Sequence, residues 1–159
     1  MIAESDSKRD ARQKELSTVI TTALRRHLML HYFQGYHDIV QVLLLILGVK
    51  AAISAAERLS LLRIRDFMLP TMSGTEPHIR LLPMILTAAD AKLAQHLSQT
   101  QPFFALPVIL TLYAHEIEDF GLIARLFDFI LASEAVVPVY LFAAVSTLGC
   151  PAHVIMMDD

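Results

Sequence analysis

The chain has 159 residues, 55% of them hydrophobic and 18% charged, with a mean hydropathy of +0.51. That is one domain with a real core, and it excludes intrinsic disorder. The net charge of −3 divides unevenly: residues 1–92 carry 12 Lys and Arg against 9 Asp and Glu, while residues 93–159 carry Arg125 alone against seven acids. The acidic second half excludes the broad positive footprint that nucleic acid demands.

A single cysteine, Cys150, rules out an internal disulfide and a thiolate metal cluster, and it suits a reducing compartment. The first 15 residues are polar and mixed in charge, unlike a signal peptide. Apolar runs fall short of the roughly 18–20 residues of a bilayer span, being broken by Gln41 in one place and by Arg125, Asp128 and Glu134 in another. No transmembrane segment is expected.

Residues 1–12 read as a flexible N-terminus. Leu16, Val19, Ile20, Ala23, Leu24 and Leu28 follow helical three-four spacing, with Arg25 and Arg26 near the end where cations complement the helix dipole. A polar turn at 31–38 follows, then an apolar helix from Ile39 that weakens near Gly48, and a further helical stretch at 51–62. The segment RDFMLPTMSGTEP is a connector, with Thr75 as a cap and Pro77 in the first turn of the next helix. Pro83 predicts a kink or break in that helix.

Asp90 caps a short helix at 91–99. Residues 103–117 read as one helix, and Asp119 starts another with Phe120, Ile123, Phe127, Ile130 and Leu131 facing inward. Pro138 opens a last helix, closed by Gly149 and Pro151. No strand alternation, repeat or low-complexity tract is present. The prediction is an irregular all-α domain of seven or eight helices spanning 13–150, with a tail at 151–159.

Few residues carry chemistry. No phosphate-binding glycine loop, dinucleotide fingerprint or nucleophile elbow occurs. His27 and His31 would share a helix face, with His37 nearby, but the metalloprotease glutamate is absent. They read as amphipathic side chains, with no metal. His115, Glu116 and Asp119 read as a capping and solvation cluster. Arg65, Asp66, Arg125 and Asp128 sit inside apolar segments and read as structural ion pairs, because unpaired burial of charge is costly.

The turn is the specific signal. Tyr32-Phe33-Gln34-Gly35 followed by Asp38-Ile39 resembles the Tyr-x-Gln-Gly-x-x-Asp-Ile motif of TBC domains, the GTPase-activating domains for Rab GTPases. LRIRDFMLPTM (62–72) and RLFDFILASEAVVPVYLFAAV (125–145) follow in the family's order, and the similarity runs from about residue 13 to about 148. The segments are most similar to the branch that acts in early secretory traffic.

The resemblance implies an all-α TBC-type fold and a Rab-type small GTPase as partner. It implies no cofactor of the chain's own, since Mg²⁺ and GTP belong to that GTPase. It makes Gln34 the catalytic glutamine, which orients the attacking water, and Tyr32, Gly35, His37 and Asp38 the GTPase-binding turn. A cytoplasmic location, at the cytosolic face of ER or Golgi membranes, follows by the same analogy. The family also supplies an arginine from an earlier Ile-x-x-Asp-x-x-Arg motif. Asp6 and Arg9 have the mutual spacing, but Ala3 stands where the isoleucine belongs and Arg9 is too close to Gln34. The chain thus reads as a domain incomplete at both ends. Two alternatives stand beside the activator: a catalytically inactive Rab-binding module lacking the arginine finger, and a membrane-associated helical protein.

Overall fold

The computed structural model describes residues 2–148, with the backbone alone for 2–6 and 72. Cys150, the expected stop signals Gly149 and Pro151, and the tail at 151–159 lie outside the described residues. Those residues form seven α-helices and three short 3₁₀ turns, with no strand among them. The fold is all-α. The chain divides into two compact units at Pro70.

The first unit is built on two long helices. Helix α1 (Ile2–Arg26) includes residues expected to lie outside the domain; residues 7–14 are mostly polar and exposed, and Val19 and Ala23 are buried positions. Its four-residue spacing puts both on the face that packs on α2 (Tyr36–Leu62). Helix α2 is long and apolar enough, by length and composition alone, to cross a membrane. It is not one straight rod. At Gly48 the backbone takes φ 71°, ψ 166°, which is not helical.

A contact between the two arms shows what that break does. The Tyr36 hydroxyl lies 2.8 Å from Ser60 Oγ, both buried. At 1.5 Å of rise per residue, a straight helix would hold those positions about 36 Å apart. The arms at 36–47 and 49–62 therefore fold back on each other as a helical hairpin. The sequence pattern marks only a weakening there. Val40, Val42, Leu43, Leu44, Ala52 and Ala56 are buried. A 3₁₀ turn at Arg65–Met68 follows, burying Phe67 and Met68.

In the second unit, α3 (Glu76–Ala89) is the hub, packing against α4 (Ala91–Leu97), the 3₁₀ turn Pro102–Ala105 and α7 (Val137–Thr147). Ile79, Leu82 and Leu86 form its buried stripe. The helix runs on through Pro83 instead of breaking there. Thr75 stands at the predicted cap position, yet its side chain makes no cap bond, and its buried Oγ1 has no partner. Asp90 does cap α4, accepting from the Lys92 and Leu93 N–H groups at 3.0 Å.

The largest departure is at 103–117, read as one helix. Helix α5 is only Leu106–Leu110, and Leu112 and Tyr113 then take positive φ values of 51° and 68°. Positive φ is costly for side-chain-bearing residues, so tertiary contacts must hold it. Tyr113 is buried, and its hydroxyl donates to the Pro138 carbonyl of α7 at 2.8 Å. Local helical preference loses to that anchor. His115 and Glu116 consequently lie on a loop, and Asp119 alone caps α6 (Phe120–Ala132), accepting from Leu122 N–H at 2.7 Å. The inner stripe of α6 is Ile123, Phe127 and Ile130; Phe120 and Leu131 are exposed.

Candidate functional site

The site is the turn between α1 and α2. Helix α1 stops at Arg26, so His27 and His31 lie on the loop that follows and lose the shared helix face on which a metal pair would depend. That loop is tied down twice. Leu30 N–H donates to the His27 carbonyl at 2.9 Å, and His31 N–H donates across to the Met68 carbonyl at 2.8 Å. Nearby, Arg26 at the end of α1 pairs with Glu57 in the second arm of α2 at 3.0 Å. Arg26 is mostly exposed, so this pair adds little stability.

The turn itself closes through Tyr36 N–H donating to the Phe33 carbonyl at 3.1 Å, with Gln34 and Gly35 as its central residues. Gly35 has φ 103°, ψ −14°. A turn with positive φ at its third residue calls for glycine. Gly35 and Tyr36 are buried while Gln34 is exposed. The result is an amide side chain presented to solvent from a backbone that is fixed beneath it.

Aromatic rings and one polar chain brace the turn. Phe33 and Tyr36 have ring centroids 5.8 Å apart, and Tyr32 meets the same Tyr36 ring edge-on at 6.2 Å. The Tyr32 hydroxyl lies 2.8 Å from His37 Nδ1, and the two rings stack at 6.4 Å. His37 Nε2 is 3.4 Å from Asp38 Oδ1. Desolvation, and then the charge of Asp38, raise the Tyr32 pKa above the ordinary phenol value. Burial does the same for Tyr36, with the Ser60 bond opposing and Glu57 adding to it. Asp38 also lies in the first turn of α2, where a negative charge complements the helix dipole.

The five residues expected at this site, Tyr32, Gln34, Gly35, His37 and Asp38, are thus brought together. Arg65, Asp66, Arg125 and Asp128, expected as structural ion pairs, all sit at exposed positions, so the desolvation argument behind that expectation does not apply. Two supports escaped the sequence reading: Ser60, 24 residues from its Tyr36 partner, and the Met68 carbonyl. Tyr36 offered a signal, as an aromatic directly after the turn glycine.

The profile of the Rab-GTPase-TBC domain matches residues 2–150. The chain belongs to that family. It is 39% identical over 145 residues to TBC1 domain family member 20 of Homo sapiens and of Bos taurus, an alignment covering 90% of this chain and 36% of either relative. GTPase-activating protein gyp10 of Schizosaccharomyces pombe is 36% identical over 135 residues, covering 84% of this chain and 36% of that protein. The chain therefore spans little more than a third of the length of these relatives. Family membership and the all-α fold are as the turn motif implied.

Proposed function

We propose that this TBC domain binds a Rab-type small GTPase in its GTP-bound, Mg²⁺-containing state and promotes GTP hydrolysis, with Gln34 supplied in trans. The observation that carries this reading is an exposed glutamine at the tip of a turn whose backbone is fixed by Gly35 and whose flanks are pinned to α2 and to the Met68 carbonyl. Phosphoryl transfer to water asks little covalent chemistry of a protein. It asks that the water be oriented and that charge on the phosphates be met. The Gln34 amide does the first, accepting from the water through its oxygen and donating through its nitrogen. The chain uses no cofactor of its own; the nucleotide and Mg²⁺ arrive with the GTPase. Its proposed place of action, by the resemblance of the motif segments alone, is the cytosolic face of early secretory membranes, in ER-to-Golgi vesicle traffic.

A second reading has its own observation. Residues 1–159 match the glutamine motif but contain no Ile-x-x-Asp-x-x-Arg match. An arginine finger is worth roughly 10³–10⁵ in kcat, so a domain working without one grips a Rab and accelerates hydrolysis little. One experiment separates the two. Single-turnover GTP hydrolysis and GTP-dependent binding are measured across a panel of Rab GTPases, with the chain and with Gln34→Ala. Stimulation abolished by the substitution supports the activator. GTP-dependent binding with unchanged hydrolysis, indifferent to Gln34→Ala, supports the binding module.

A further inference from the structure

We propose that His37 is a positioning residue for Gln34: its ring bridges the Tyr32 hydroxyl and the Asp38 carboxylate and so clamps the turn from both sides. This deepens the function proposed above and rests on it only for its consequence in catalysis. Tyr32 precedes the turn and His37, five positions on, follows it, so the link between them encloses Phe33–Tyr36. Tyr32 is 51% exposed, so packing alone does not hold it. Its restraints are the edge contact with Tyr36, the stacked His37 ring and the hydroxyl bond to Nδ1.

The clamp as proposed puts the ring proton on the nitrogen that faces Asp38, Nε2, 3.4 Å from its Oδ1. Nδ1 is left with a lone pair, and the Tyr32 O–H donates to it. The order runs from the Tyr32 hydroxyl through His37 to the Asp38 carboxylate, and Asp38 is itself rooted in the first turn of α2 by its N–H bond to the Gly35 carbonyl at 3.0 Å. Each link fixes the ring orientation that the next one needs. Gln34 stands between the two ends of this bridge, and its backbone freedom is reduced before any GTPase arrives. Such preorganisation favours the transition state over simple docking.

Two measurements on the full chain test this. The first is NMR of ¹⁵N-labelled histidine rings. The clamp predicts the Nε2–H tautomer for His37 and an Nδ1 resonance that moves when Tyr32 is replaced by phenylalanine. An Nδ1–H tautomer, or a resonance untouched by Tyr32→Phe, overturns it whether or not any GTPase binds. The second compares binding to Rab loaded with a non-hydrolysable GTP analogue and to Rab·GDP with aluminium fluoride, a mimic of the transferring phosphoryl group. His37→Ala is expected to weaken the aluminium fluoride complex about threefold to tenfold more than it weakens the analogue complex. His37→Asn, whose amide occupies the Nδ1 position, should restore most of the loss. Equal weakening of both complexes means direct contact with the GTPase and overturns the positioning role. Failure of Gln34→Ala to affect the aluminium fluoride complex counts against the proposed function instead, and leaves the tautomer result to decide the clamp.

Discussion

Gly35 is the residue on which the site's geometry depends most directly. Its φ of 103° is one that a side-chain-bearing residue rarely adopts. Gly35→Ala is expected to cost roughly 1–2 kcal/mol of stability, read as a lower denaturation midpoint. It should also reduce GTPase activation by more than that loss of stability explains, because the strain falls on the turn that aims Gln34. This much was legible in the sequence, since a glycine beside an exposed amide is a local feature. The bracing was not. Tyr36 and Ser60 are 24 residues apart, and no spacing rule joins them; only the fold of α2 does.

That fold is a matter of elements, and Gly48 controls it. With φ 71° and ψ 166°, Gly48 occupies a region that is nearly glycine's alone. A Cβ built there would meet no atom within 4 Å, so a substitution suffers backbone strain and no clash. Gly48→Ala should therefore destabilise the chain by about 1–3 kcal/mol, and thermal melts should show it. A melting point equal to that of the unsubstituted chain would mean the hairpin does not need this backbone. Periodicity located the helices on either side of Gly48 well, because three-four spacing reports burial within one element. It overextended the helix at 103–117 for the same reason. Leu106–Leu110 satisfies the pattern, and the pattern carries no information about Tyr113 reaching the Pro138 carbonyl. Caps fared likewise: Asp90 and Asp119 bond as their chemistry predicts, whereas Thr75 holds the position without the bond.

At the scale of the whole molecule, buried tyrosines set an upper limit on the pH range of stability. Burial pushes the Tyr113 pKa well above its ordinary value of 10.0, and Tyr36 is raised as well. In the unfolded chain both ionise near 10, while in the folded chain they stay neutral. Their contribution is thus fully present below about pH 10 and is lost above it, at about 1.4 kcal/mol per pH unit for each group until its folded pKa is reached. Melting temperatures should fall between pH 9 and about pH 11, and Tyr113→Phe should shallow that fall. An identical fall in the variant would place the alkaline sensitivity elsewhere.

The family assignment, the all-α fold and the exposed turn are the observations on which the proposed role of Gln34 rests. The most direct test uses a Rab whose own water-orienting glutamine has been changed to leucine. On the proposed reading Gln34 stands in for that group, so the domain is expected to stimulate single-turnover GTP hydrolysis by the altered Rab, and Gln34→Ala is expected to abolish the stimulation. Hydrolysis that the domain leaves at its intrinsic rate, or that Gln34→Ala stimulates equally, would contradict the account.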